Sequence, residues 1–466
     1  MEENPRVGLI IMRAEWFGYA AAKPIIESVE SDAMEMTSRL GLYFEVLGPW
    51  VVDSAERMQA CTRAMVEADP DLVLLAFQTW ADDLRLEALL DAVGSRPLIV
   101  WCYQPWRRAP RPAQVADVLR GSGAVGSFAA LGMLRNLGAG FQFTFGSPDD
   151  PRLIHDLKVA GRAAQVRRGL RSARIGLLPS NVEPIQVNLV DETRLKAELG
   201  PAVQHYSVEE YLRVFDSLAQ VRVDAYLEQI YQNYKVKEVG QAALRRAAQA
   251  ALGLAHLAID YRLDVLAVSD TSPQLLQALQ LRPALYPDLL DPLPVLFQPA
   301  GDLGAATANY VLHHLTGSAT MLVEILFWDE ARNQVICGHG GMQNPLLAEG
   351  NAAWISPDHE FQPPGLQVGA QFQFVARSGR VTLFQLRSTP KSWQAIALSG
   401  MCLESRPWVN GYPHALLRLD TTIQQFLNRL ASVGASQHWI LAYGNVIEEL
   451  ESLCQMTNIP LEVLTM

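Results

Sequence analysis

Basic residues are sparse in this chain. Its 466 residues hold 38 Lys and Arg against 49 Asp and Glu, a net charge of −11, and the basic residues form no cluster. Nucleic acid and anionic membrane surfaces both call for a concentrated basic face, so neither is expected as a partner. Cysteine is scarcer still. The five present, Cys61, Cys102, Cys337, Cys402 and Cys454, are scattered, odd in number and never in a CxxC pair. That usage excludes a disulfide framework and points to reduced core thiols. No apolar run approaches the roughly 18–20 residues of a membrane span. The opening MEENPRVGLIIM carries glutamates where a secretory leader carries lysines, so the expected location is the cytoplasm. A P-loop, a nucleophile elbow and an HExxH pair are also missing. Gly121–Gly126 (GSGAVG) does match the dinucleotide pattern GxGxxG, but a helix-like run, Val115–Arg120, precedes it where a strand is needed. It reads better as a connection between helices.

What the chain does have is apolar sequence, 49% hydrophobic against 19% charged, in a length that exceeds one core. Arg6–Met12, Leu42–Leu47, Asp71–Phe77 and Pro97–Cys102 are short apolar runs separated by helical stretches such as Ala55–Ala68. Continuous apolar strands alternating with helices indicate a parallel sheet covered on both faces. The pattern restarts at Ala173–Leu178, and from residue 318 it changes to strands joined by short turns: Met321–Trp328, Gln334–Cys337, Gln371–Ala376, Arg380–Leu386, Ile396–Cys402 and His438–Tyr443. The expected fold is α/β: two Rossmann-like parallel-sheet domains, residues 1–171 and 172–317, then a mostly antiparallel, barrel-like domain, residues 318–466.

Chemistry concentrates between Gln298 and Gly341. A strand ends at Gln298, and a helix follows with Asp302 at its N-cap and Gly317 past its C-terminus. Glu324 then interrupts the apolar run Met321–Phe327 (MLVEILF), where a carboxylate costs several kcal/mol unless it is compensated. If Asp329–Asn333 forms a hairpin turn, residue 324 stands opposite 338, one residue from His339, and a bulge at the neighbouring glycines would bring both side chains to one face. A carboxylate and an imidazole so placed can share a divalent ion. An edge strand with Glu324 facing water is the other reading of the same residues. Trp16, Phe17 and Trp80 follow strand C-termini of the first domain, where parallel sheets place ligands, and suit either stacking on a ligand or plain packing.

Taken together, the Gly-Asp helix start, the acidic residue within a strand, the histidine among glycines and the closing HWILAYGNVIEEL resemble the L-fucose and L-arabinose isomerase family. LAFQTWADD (75–83), GAVGSF (123–128) and VDETRLKAELG (190–200) are similar too and stand in the expected order, so the resemblance spans nearly the whole chain. It implies a divalent cation, commonly Mn²⁺, on the O1 and O2 oxygens of an open-chain sugar, with acidic side chains moving a proton between C1 and C2 through an ene-diolate. Carried over by position, Glu324, His339 and His438 are the metal ligands. Glu324 and Asp302 are the acidic catalytic residues and His438 also contacts the sugar, while Trp16 and Trp80, from their place at strand ends, are the candidates for stacking on it. The resemblance further implies a homo-trimer or homo-hexamer in which N-terminal halves cap neighbouring sites. One position departs from the pattern: the family's Glu-x-Asp reads Ala300-Gly301-Asp302 here. Alanine neither ligates a cation nor moves a proton. The chain is therefore expected to be an aldose–ketose isomerase with a modified acid/base site, a sugar epimerase, or a catalytically impaired sugar-binding or assembly relative. Glu404, His359 and His414 are the replacement groups the sequence offers.

Overall fold

The computed structural model describes residues 4–15, 23–81, 83–179, 185–287, 295–350, 352–361 and 364–465. Trp16 and Phe17 lie outside them. The chain divides into two compact units, residues 1–168 with 451–458, and residues 169–450 with 459–466, so the second and third expected domains share one unit.

In the first unit, five parallel strands run in the order Glu45–Val52, Arg6–Met12, Leu72–Phe77, Leu98–Tyr103, Gln142–Gly146. Leu72–Phe77 is buried at every position, which is why its apolar residues are continuous rather than alternating. The edge strand Gln142–Gly146 is different: Phe143 and Phe145 face outward and only Thr144 is buried. The GSGAVG segment is a packing device. A Cβ on Gly123 would stand 2.3 Å from the Phe77 carbonyl oxygen, and one on Gly126 would stand 2.8 Å from that of Thr79. These glycines let the helix Gly123–Asn136 settle onto the sheet, and a helix, Val115–Arg120, does precede them.

The second unit opens with a four-stranded parallel sheet in the order Leu296–Gln298, Val265–Val268, Arg174–Leu178, Ala202–His205. The long helix Gln241–Asp260 turns an alanine- and leucine-rich face into its core. Next comes a closed antiparallel barrel of six strands: Gly379–Ser388, Trp439–Tyr443, Thr320–Asp329, Gln334–Gly338, His414–Arg418 and Trp393–Cys402, which pairs back to the first. Closure leaves these six strands without a free edge. Leu461–Thr465 adds in parallel alongside Trp393–Cys402. Ala370–Gln373 stays out of the barrel and pairs with Trp354–Pro357.

Sheet and barrel are joined by the helix Leu303–Thr316. Asp302 caps it by accepting from the Ala305 N–H at 3.0 Å, and Gly317 ends it at φ 64. Asn309 ties both ends of this connection together: its Nδ2 donates to Gln298 Oε1 at 3.0 Å, and its Oδ1 accepts from the Thr320 hydroxyl at 2.6 Å. Gly304 brings the helix start within touching distance of the barrel, because a Cβ there would meet the Leu386 carbonyl oxygen at 2.4 Å.

No helix among the described residues is long and apolar enough to cross a membrane. All five cysteines are free thiols, four of them buried.

Candidate metal centre

Strand register builds the site. Glu324 pairs with Gly338 across one edge of its strand, while on the other edge Val323 pairs with Trp439, which sets Glu324 beside His438. Across the hairpin, Asp329 pairs with Gln334, and a bulge between Ile325 and Phe327 then shifts the register so that 324 meets 338. The irregularity falls in the glutamate strand rather than at the glycines. Glu324 thus occupies a central barrel strand with its side chain about a third exposed (32%), while residues 320–323 before it are buried.

Glu324, His339 and His438 each direct one ligand atom into a common space, all within 4.8 Å of one another. His438 Nε2 is 3.6 Å from Glu324 Oε1, and the two imidazole centroids are 5.6 Å apart. Each histidine has its other nitrogen fixed. His438 Nδ1 donates to Asp302 Oδ2 at 2.9 Å, and His339 Nδ1 donates to the Gly340 carbonyl oxygen at 2.6 Å. Each ring is thereby oriented by its Nδ1, with its ligand atom in the space shared with Glu324. Burial, and then the neighbouring His438, hold the His339 pKa below its ordinary value, so this ring is neutral at neutral pH as metal ligation requires. Two imidazole nitrogens, one carboxylate and an outer carboxylate on one of the imidazoles form a donor set that fits a divalent cation.

Asp302 is brought to this centre with its carboxylate already committed, Oδ1 to the helix cap and Oδ2 to His438. Trp80 belongs to the other unit. It is 40% exposed, and its backbone N–H donates to Ser122 Oγ at 2.9 Å. Glu404 is exposed in the loop after Trp393–Cys402, and His359 is exposed as well. His414 has both ring nitrogens engaged, Nδ1 donating to the Tyr412 carbonyl oxygen at 2.7 Å and Nε2 accepting from the Trp408 N–H at 3.0 Å, so it is a packing residue. Ala300 is buried, with φ 67 and ψ 4, a left-handed conformation that costs a residue with a Cβ about 1–2 kcal/mol. Its N–H donates to Asp270 Oδ1 at 2.9 Å, which helps to hold it there.

Sequence reasoning missed what surrounds His339-Gly340-Gly341. Arg282, 2% exposed, donates from Nε to Asp270 Oδ2 at 2.7 Å and from Nη1 to Glu360 Oε2 at 2.5 Å, and lies 3.7 Å from Asp358 Oδ1. Tyr412 Oη donates to Glu360 Oε1 at 2.8 Å. The glycines make room for this group. A Cβ on Gly340 would stand 1.9 Å from Glu360 Oε2, and one on Gly341 would stand 2.8 Å from Asp270 Oδ2. The glycine cluster itself was the visible signal, since adjacent glycines beside a buried histidine imply that other groups approach closely.

No family model matches the chain. It is similar to sulfoquinovose isomerases of Priestia aryabhattai and of Priestia megaterium (strain ATCC 12872 / QMB1551), each 23% identical over 414 residues, which cover 89% of this chain and 90% of the relative. The sulfoquinovose isomerase of Alkalicoccus urumqiensis is 21% identical over 399 residues, 85% of this chain and 86% of its own.

Proposed function

We propose that the chain is an aldose–ketose isomerase of sugars that works with one divalent cation, Mn²⁺ in the first instance, held by Glu324, His339 and His438. The observation that carries this reading is the convergence of those three side chains, with both outer histidine nitrogens already engaged. Relatives named as sugar isomerases over most of their length support it.

Isomerisation shifts one hydrogen from C2 to C1 and one from O2 to O1, so substrate and product have the same atoms. When bound, the cation supplies positive charge near O1 and O2, which polarises the carbonyl and acidifies the C2 hydrogen. The chain's own contribution is fixed geometry. Asp302 holds the His438 ring in one tautomer and orientation, and the Gly340 carbonyl does the same for His339. Glu324 contributes the negative charge of the ligand set from the barrel wall.

Ala300 favours a second reading, a sugar-binding relative without turnover. The test is Mn²⁺-loaded protein in D2O with a panel of aldoses, beginning with sulfoquinovose and including L-fucose and L-arabinose, followed by NMR. Isomerisation produces a ketose carrying deuterium at C1. Protein that binds a sugar stoichiometrically but leaves every aldose unchanged supports the binding reading and rejects the isomerase one.

A further inference from the structure

An isomerase needs a carboxylate free to carry a proton, and Ala300 cannot be it. The side chain of Asp302 is only 10% exposed and is spent on the helix cap and on orienting His438. Glu324 is in the ligand set. The network around the glycines contains one more acid with an open face. Of Asp270, Asp302, Asp358 and Glu360, the first and third have side chains 1% and 0% exposed and Asp302 10%, whereas Glu360 is 29% exposed, much like Glu324.

Glu360 is also fixed in place. Arg282 holds Oε2, Tyr412 holds Oε1, and Oε2 fills the space that a side chain at Gly340 would need, one residue from His339. Tyr412 also feels the charge of Glu324. Arg282 shares its single charge with Asp270 and Asp358 as well. The network reaches residue 300 as well, since Asp270, the Arg282 partner, accepts from the Ala300 N–H.

Resting on the isomerase reading above, we infer that Glu360 is the carboxylate that carries the proton between C2 and C1, from a different loop than the position Ala300 occupies. Glu360 takes the C2 hydrogen as a proton, and the C2–H electron pair becomes the C1=C2 bond of a cis-ene-diolate as O1 gains the carbonyl pair and its negative charge. Glu360 then returns the proton to C1, and the O2 proton passes to O1, which leaves the ketose. Tyr412 remains a protonated donor that holds the carboxylate aimed. Burial, reinforced by Glu360, keeps its hydroxyl well above the usual phenol range.

The experiment compares wild type, Glu360→Gln, Glu360→Asp and Gly340→Ala as full-length proteins, with Mn²⁺ affinity, kcat, KM and deuterium exchange at C2 read on the aldose that wild type converts best. Glu360→Gln should keep Mn²⁺ affinity and KM within about threefold while kcat and exchange fall about 10²–10⁴-fold, the range for a lost acid/base group. Glu360→Asp should recover part of that loss. Gly340→Ala, which pushes the carboxylate aside without removing it, should lower kcat in the same direction. A Gln variant with kcat within about threefold of wild type overturns the assignment and leaves the isomerase reading intact. So does a variant whose Mn²⁺ affinity falls in step with kcat. Wild-type protein that converts no aldose overturns both.

Discussion

Asp302 performs two jobs with two oxygens, and suitable variants separate them. Oδ1 caps the helix Leu303–Thr316 through the Ala305 N–H, and Oδ2 accepts from His438 Nδ1. Loss of an N-cap costs about 1 kcal/mol, and in a unit of this size that lowers Tm by about 2 °C. Loss of a carboxylate behind a ligating histidine costs about 10–100-fold in metal affinity, or about 1.4–2.7 kcal/mol. Asp302→Ser keeps a hydroxyl for the cap but is too short to reach His438. Its metal-free Tm should therefore stay near wild type while Mn²⁺ affinity drops by the full 10–100-fold. Asp302→Ala should show the same affinity loss together with the lower Tm. Titration calorimetry with Mn²⁺, and thermal unfolding in excess chelator, read the two effects separately. A Ser variant that binds Mn²⁺ as wild type does would refute the role given to the Asp302–His438 bond.

Three further outcomes are expected. Ala300→Glu should raise Mn²⁺ affinity several-fold in a chelator competition, because it adds an anionic oxygen two residues before Asp302; weaker binding would mean that the space at residue 300 serves something other than a ligand. His339→Gln and His438→Gln should each abolish stoichiometric Mn²⁺ uptake by mass spectrometry of desalted protein while the barrel stays folded by circular dichroism. Asp358 is fully buried and one of its oxygens has no hydrogen-bond partner; burial, only partly offset by Arg282, raises its pKa to about 6. Because that value lies above the unfolded one, its contribution to stability is present below about pH 4 and is lost as pH rises through 6, at most about 3 kcal/mol. Asp358→Asn should flatten the urea midpoint between pH 4 and 7, and an unchanged pH profile would show that Asp358 stays ionised throughout.

Much of the site could be read in the sequence because it rests on local rules. Glu324 stood out as the lone polar side chain in an apolar run, the hairpin that brings residue 324 near 338 was marked by its turn although the exact pairing also needs the bulge between Ile325 and Phe327, and Asp302 and Gly317 are the usual residue types for helix ends. Proximity of His438 to Glu324 is of another kind. Residues 114 positions apart meet only because the strand Trp439–Tyr443 lies next to Thr320–Asp329 in the barrel, and periodicity carries no information on strand order. The strand Gln142–Gly146 escaped notice because an edge position leaves Phe143 and Phe145 outward, so no continuous apolar run marks it. His414–Arg418, the strand that links Gln334–Gly338 to Trp393–Cys402, is only five residues long and emerges from an irregular loop. The Arg282, Glu360 and Tyr412 group draws on three segments far apart in the chain, and only the glycines beside His339 hinted that something had to fit there.

The most direct test of the proposed metal site is an anomalous difference map from crystals soaked in Mn²⁺, recorded on both sides of the manganese edge. One peak per chain is expected, about 2.1 Å from a carboxylate oxygen of Glu324 and from Nε2 of His339 and of His438. A map with no peak among these three side chains at millimolar Mn²⁺, or with its peak at other residues, would contradict a metal-centred isomerase.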